Sequence, residues 1–422
     1  MPLKPASTAA LTADAAHAPD RCALAQRLRD TRAETLRLAQ PLSAEDQGLQ
    51  SMPDASPTKW HLAHTSWFFE AVVLQPHAPG YAPFDARFAH LFNSYYESLG
   101  PRHPRPQRGM LSRPDLQTVQ AFRSHVDAAV LAFIDEAPPS VWLQAAPLIE
   151  LGINHEQQHQ ELILTDALHA LSCNPLLPAY RAAGHSLRLA AVSSGPHWLP
   201  VEGGLVDIGA ADPGFAFDNE RPRHQALIQP FEIADRLVSC GQWLQFIEDG
   251  GYRDAGLWLS DGWALVQAQA WDAPAYWLAP GDPRAPCDGW QVFGLEGVRP
   301  LDHAAPVVHI SFHEAAAYAQ WAGARLPTEF EWEAASALAG MSQLTGHAWQ
   351  WTRSSYDPYP GFRPLPGAVG EYNGKFMVGQ VVLRGGSLAT PAGHARATYR
   401  NFFPPAARWQ FTGLRLARDT AC

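Results

Sequence analysis

INHEQQHQELIL, residues 153–164, is the stretch on which the reading of this chain turns. A helix advances about 100° per residue, so His155 and His159 project from one face and can share a metal ion. Glu156 lies between them and completes H-E-x-x-H, in which a zinc protease uses the histidines as ligands and the glutamate as general base. That chemistry needs a third ligand. The extended form of the motif wants glycine and histidine where Leu162 and Thr165 stand. A glutamate on a following helix is the other route, and no acidic residue occurs between Asp166 and Glu202. The protease reading fails for want of a ligand.

A further imidazole is available upstream, in KWHLAHTSWFFE (59–70), where His61 and His64 sit three apart on a separate helical segment. A bundle would set one of them opposite the 155/159 pair. Three neutral imidazoles leave coordination positions open, which suits a catalytic zinc or a non-haem iron handling oxygen. Ligand type alone does not choose the metal.

Around these segments the chain reads in two textures. Leu and Ala recur at three- and four-residue spacings in LAQRLRDTRAETLRLAQPL (24–42), and the helical pattern continues in 59–74, 115–137 and 148–171. Four amphipathic helices predict a bundle over 21–173, where metal sites form between facing helices. From 197 to 422 short β-like runs (LVDIG, QALIQPFEIA, MVGQVVLRGG) alternate with Gly, Pro and Trp turns around one helical insertion, SFHEAAAYAQWAGARL. This predicts a loop-rich α+β domain, joined to the bundle by a linker at 174–196. Residues 1–20 read as a disordered tail rather than a signal peptide.

Composition excludes some classes. Thirty-one Lys and Arg against 41 Asp and Glu leave a net charge of −10, which argues against nucleic acid or an anionic membrane as partner. No window approaches the ~20 apolar residues of a membrane span. Five scattered cysteines without a CxxC fit a reduced, cytoplasmic setting. Oligomeric state is not legible.

Several segments together carry a resemblance: HLAHTSWFFE (61–70), LFNSYYESLGPRHPRP (91–106), NHEQQHQE (154–161), FAFDNERPRH (215–224), ARLPTEFEWEAAS (324–336) and RATYRNFFPPAARWQFTGLRLARD (396–419). From about residue 25 to 419 the chain resembles the iron-dependent sulfoxide synthases of ergothioneine biosynthesis. The resemblance implies an α+β architecture: a DinB-like four-helix bundle followed by a domain like the formylglycine-generating enzyme, related to the C-type lectin fold. It implies a reaction joining the sulfur of cysteine to the imidazole C2 of hercynine (Nα-trimethylhistidine) at Fe(II), with O2 consumed and a sulfoxide formed. FNSYY and the Phe-Phe pair resemble the branch that uses free cysteine rather than γ-glutamylcysteine.

The same resemblance implies roles for residues. His64, rather than His61, joins His155 and His159 as iron ligand, and Glu161 orients a ligand from behind. Gln158, Asn401, Phe402 and Phe403 bind hercynine, the phenylalanines holding its trimethylammonium by cation–π attraction. Arg105, then Arg102, takes the carboxylate of cysteine from a loop that also offers Arg108. Tyr95 and Tyr96 are the catalytic phenols, unranked, steering turnover toward C–S bond formation. Gln350 stands where related sequences commonly show Glu, which puts a cation site in the second domain in doubt. The catalytic cysteines of formylglycine-generating enzymes are not evident near RGGSLAT (384–390). The alternatives are an ovothiol-type synthase acting on histidine, a zinc-dependent DinB-type thiol transferase or hydrolase, and a non-enzymatic ligand-binding protein.

Overall fold

A computed structural model describes residues 20–182, 196–211, 214–365 and 367–420. The expected tail, apart from Asp20, and residues 183–195 of the expected linker lie outside them. Four helices build the N-terminal half: α1 (Arg21–Ala39), α2 (Thr58–Phe68), α3 (Leu116–Glu136) and α4 (Pro139–Ser172). The side chains of Asp20 and Asp115 cap α1 and α3 by accepting from the backbone N–H of Cys22 and Thr118. α1 packs along α4, and α2 packs against both α3 and α4.

α2 is the central helix. Every residue in it except Lys59 is buried, as a helix apolar on all sides must be. It continues into a π-helical stretch, Phe69–Leu74, a local irregularity that recurs at functional sites. α4 meets that stretch at Gly152, where an added Cβ would lie 2.5 Å from the Phe69 ring. Glycine inside a helix costs about 1 kcal/mol against alanine. Here it permits the close approach that sets His155, one turn later, against α2.

The second half is assembled from small sheets among loops. Its central four-stranded sheet runs β3–β2–β1–β4 from β1 (Trp349–Ser355), β2 (Val381–Arg384), β3 (Asn401–Phe403) and β4 (Thr412–Gly413). β3 pairs antiparallel to β2 with Phe402 opposite Val382, while β4 runs parallel to β1. A three-stranded sheet joins Trp198–Val201, Phe231–Ala234 and Ala417–Asp419, so the last strand of the domain pairs with one from its beginning. Helices α5 (Phe312–Trp321) and α6 (Glu329–Ala335) each begin with a capping box, Ser311 with Glu314 and Thr328 with Glu331.

The halves share apolar cores. Ile163, Leu164 and Leu168 of α4 pack with Leu278, Phe293 and Phe411 of the second half. The helix that carries the quoted motif is therefore held on one side by α1 and on the other by the α+β domain.

Candidate metal centre and substrate cleft

The turns 155–161 of α4 divide their side chains among three environments. Glu156 and Gln160 face α1. Glu156 is fully buried, accepts from Arg32 at 2.8 Å and Thr35 at 2.6 Å, and pairs also with Arg123. Burial alone would raise its pKa, but the two guanidiniums hold the carboxylate down at about 2. Gln160 donates to Thr31 O at 2.9 Å and to the Thr35 hydroxyl at 3.0 Å. Every bond of Glu156 is internal to the bundle. The general base of H-E-x-x-H is here an ion-pair hub.

Gln157, Gln158 and Glu161 face the second domain. Gln157 Oε1 meets His394 Nδ1 at 2.9 Å. Gln158 is held between the hydroxyls of Tyr372 and Tyr399. Glu161 accepts from Trp349 Nε1, Ser387 Oγ and Thr390 Oγ1, each at 2.7 Å. Beside the role of orienting a ligand that the resemblance implies, these contacts give Glu161 a second one. Its carboxylate lines the cleft and fastens α4 to the sheet domain, with its described hydrogen bonds on that domain rather than on an imidazole.

His155 and His159 face α2 and meet His64. The three rings lie 4.6–5.0 Å apart between centroids, and one ligand nitrogen from each falls within 4.8 Å of the others. Among the described residues this is the one group of three or more such side chains close enough to hold an ion. His64 Nδ1 donates to Phe92 O at 2.6 Å, and its Nε2 has no partner among the described residues. His155 Nε2 and His159 Nε2 are 3.0 Å apart, near enough to serve one ion together. Burial pushes all three pKa values down, that of His155 to about 3, so the lone pairs stay free of protons at neutral pH. Three buried neutral imidazoles with converging nitrogens fit a divalent metal by donor chemistry and by geometry.

His61 has a different task. Its Nδ1 lies 2.8 Å from His159 Nδ1, and its Nε2 lies 3.0 Å from Asp166 Oδ2, which also accepts the Ser56 backbone N–H at 2.8 Å. Satisfying both bonds with neutral rings protonates His61 on Nε2 toward the carboxylate. Its Nδ1 then accepts from His159 Nδ1–H, which leaves the His159 Nε2 lone pair to the metal. The relay Asp166–His61–His159 was missed in the sequence. Asp166 stands seven residues beyond His159, on the same face of α4, and that i, i+7 spacing was its one available signal.

His64 is itself layered between indoles, stacked on Trp60 at 4.6 Å and Trp67 at 5.5 Å. These are its i−4 and i+3 neighbours on α2. The loop after α2 completes the setting. Asn93 bonds the backbone of Tyr96 in both directions, at 3.0 Å each, and so fixes the turn that aims the Phe92 carbonyl at His64.

The metal centre opens into a cleft of about 400 Å³ lined by both halves of the chain. Tyr95, Arg102, Arg105, Gln158, Glu161, Asn401, Phe402 and Phe403 all line it. Tyr96 does not: it is fully buried behind Tyr95, stacked on it at 4.7 Å and packed on Trp67. Burial raises the Tyr95 pKa, so its phenol keeps its proton at neutral pH. Arg102 and Arg105 are exposed at the rim, and each already donates to a backbone carbonyl, of Ser94 and Asp54 respectively. Phe402 stacks on Tyr356 at 4.0 Å and faces Phe376, which meets Tyr95 edge-on at 5.2 Å. Tyr372, also missed in the sequence, closes the aromatic wall, stacked on Phe217 and 5.5 Å from His155. No periodicity marks it, because it lies in a loop of the second domain.

Gln350 lies outside the cleft. Its amide accepts from Trp332 at 2.7 Å and Arg415 at 3.0 Å and donates to Leu344 O at 2.9 Å, a set an amide satisfies at both ends.

A helical bundle with an inward three-histidine centre, roofed by a loop-rich α+β domain, defines a two-domain protein with a candidate metal site, whose cleft belongs to both domains. Residues 27–163 match the DinB superfamily, and residues 186–345 and 336–420 match the sulfatase-modifying factor enzyme 1-like domain. The chain is 33% identical to the hercynine oxygenase of Mycolicibacterium thermoresistibile, over 95% of this chain and 96% of that one. It is also 33% identical to that of Mycobacterium tuberculosis, over 94% and 98%. The formylglycine-generating enzyme of Thermomonospora curvata is 36% identical over 34% of this chain and half of its own. The chain belongs to the hercynine oxygenase family of sulfoxide synthases. Among the described residues, no helix is long and apolar enough to cross a membrane.

Proposed function

We propose that the chain is a non-haem Fe(II)- and O2-dependent oxygenase that joins the sulfur of cysteine to the imidazole C2 of hercynine and leaves the sulfur as a sulfoxide. The observation that carries this reading is the three-histidine centre opening into a cleft lined by aromatic rings and arginines. His64, His155 and His159 would hold the iron, which when bound supplies oxygen activation and a thiolate-binding Lewis acid.

The chain's own residues do the rest. Phe402, Phe403 and the adjoining aromatic wall offer π faces to the trimethylammonium of hercynine, at about 0.5–2 kcal/mol per ring. Gln158, steadied by two tyrosines, and Asn401 offer amide groups to its carboxylate and imidazole. Arg105 and Arg102 at the rim draw in the anionic thiol. Tyr95 is the phenol with access to the reacting atoms and holds its proton until one is needed. Tyr96, one layer behind and stacked on the Tyr95 ring, positions it. Closure of the cleft by both domains excludes water and so limits plain oxidation of the thiol.

Incubation of the protein with hercynine, cysteine, Fe(II) and air tests the reading by the mass of the product. The sulfoxide conjugate is expected with iron and oxygen and not with zinc or under argon. A conjugate formed faster from histidine than from hercynine would move the chain to the ovothiol-type activity, and zinc-supported turnover would move it to the transferases.

A further inference from the structure

Of the three candidate ligands, His64 alone has an indole stacked on each face among the described residues. Trp60 lies on one side at 4.6 Å and 13°, Trp67 on the other at 5.5 Å and 15°. The column continues from Trp67 to Tyr96 at 5.5 Å and from Tyr96 to Tyr95 at 4.7 Å. Trp67 and Tyr96 are buried inside the bundle, while Trp60 and Tyr95 line the cleft, so the column reaches the cleft at both ends. The other ligands are placed differently. His155 meets Phe68 at 4.8 Å and the edge of Tyr372 at 5.5 Å, and His159 meets Trp60 only at a tilt, at 6.4 Å.

Packing explains aromatic rings in a core, but not the N–H of Trp67. A buried indole ordinarily finds an acceptor. Trp67 is 1% exposed, and its Nε1 has no partner among the described residues. Indoles and phenols are, with thiols, the side chains that give up an electron most readily. An oxidised indole with no acceptor for its proton keeps that proton, and the electron deficit passes to the next ring instead of being trapped by deprotonation. Tyr95 ends the column differently. It lines the cleft, and its phenol can release an electron and a proton there together.

We propose that Trp67, Tyr96 and Tyr95, with Trp60 as a second exit, form an electron path that carries oxidising equivalents away from the metal centre when oxygen is reduced there without a full set of substrates. The path spares the ligand imidazoles. Its co-reactants are a peroxide and a free thiol. Reduction of one H2O2 to two waters takes two electrons and two protons. Each electron crosses Trp67 and Tyr96, which end unchanged, and comes from Tyr95, whose phenolic proton passes through cleft water to the water formed. A thiol in the cleft returns a hydrogen atom to Tyr95, and two thiyl sulfurs join. The sum is one peroxide and two thiols giving one disulfide and two waters. The path rests on the proposed function only in taking the bound metal to be redox-active iron; hercynine has no part in it.

The test is addition of H2O2 to the Fe(II)-loaded full chain under argon, without hercynine, read by freeze-quench electron paramagnetic resonance and by peptide mass analysis. Wild type is expected to show an aromatic radical that cysteine quenches, with oxygen added at Tyr95 or Trp60 and the three ligand histidines intact. The zinc-loaded chain should show no radical, because zinc has no redox chemistry. Trp67→Phe keeps a ring that is not readily oxidised, and is expected to lose the Tyr95 radical and gain oxidised ligand histidines. Trp67→Tyr should restore the wild-type pattern in part, whereas a merely structural role would leave the two variants alike. If Trp67→Phe fails to fold by circular dichroism, Tyr95→Phe, which blocks the exit, is expected to move the oxidation inward to Trp67. No aromatic radical in wild type, or an unchanged pattern in the folded variants, overturns the path even if sulfoxide forms. A radical that the variants lose, without sulfoxide formation by wild type, retains the path and discards the proposed reaction. Failure of the chain to bind iron overturns both.

Discussion

Two buried polar clusters sit on adjacent faces of the same helical turns, and they are built on opposite principles. Around Glu156 each charge is matched: two guanidiniums, Arg32 and Arg123, meet two carboxylates, Glu156 and Asp127, with the Thr35 hydroxyl beside them. Around His155 the Nε2 atoms of His155 and His159 face each other, and His155 Nδ1 and His64 Nε2 have no partner among the described residues. A saturated cluster has no capacity for a ligand and fixes the packing of helices. An unsaturated one is unfavourable until something fills it. The first holds α1, α3 and α4 in register, and the second is what that register is for.

Breaking the open cluster should remove function and spare the fold. His64→Ala, His155→Ala and His159→Ala are each expected to lower metal affinity by more than ~100-fold and abolish turnover, while metal-free melting temperatures stay within a few degrees of wild type. Metal analysis after dialysis, beside a thermal melt, reads both halves. Full iron stoichiometry in any of the three would remove that residue from the ligand set.

Breaking the closed cluster should do the reverse. Glu156→Ala strands two buried guanidiniums and is expected to cost about 3–5 kcal/mol of stability. Denaturant unfolding measures this, and a loss below 1 kcal/mol would mean that the hub is not structural.

Between the clusters lies the relay. Asp166→Asn should weaken metal binding about 10–100-fold without changing the number of ions bound, because only the orientation and basicity of His159 are altered. Unchanged affinity would make His61 a packing residue.

At the cleft, Tyr95→Phe is expected to raise the ratio of oxidised cysteine to sulfoxide by about 100-fold, the low end of an acid–base contribution. Tyr96→Phe, one layer back, should change it less. The reverse ranking would place the reacting phenol behind the wall.

The smallest effect is on pH. The four histidines of the centre have folded pKa values below the ordinary 6.5 because of burial. Below that pH the unfolded chain takes up protons the folded one refuses. Metal-free stability should therefore fall as pH drops from 6.5 toward about 3, where His155 protonates. Glu156, depressed to about 2, contributes stability that is complete above 4.5 and is lost as pH falls through 2. Melting temperature against pH separates the windows, and His155→Leu should flatten only the upper one.

The helices and their inward pair were legible in the sequence because helical period is local: spacing alone puts His155 beside His159 and Glu156 on another face. The strand segments LVDIG, QALIQPFEIA and MVGQVVLRGG were legible for the same reason, and they carry β strands here. Resemblance named His64 and the cleft residues, but not what separates neighbours of the same kind. Tyr95 from Tyr96, and the rim arginines from Arg108, differ only by burial, which no spacing reports.

By itself, then, the sequence determined the two-part architecture, the 155/159 pair and the basic and aromatic segments that line the cleft. Tertiary structure decided the partners. It made Glu156 an ion-pair hub, gave His61 to Asp166 and His159, and set the hydrogen bonds of Glu161 on the second domain. Each of these is a choice among hydrogen-bond partners up to hundreds of residues apart, and such choices are settled by which groups are buried together.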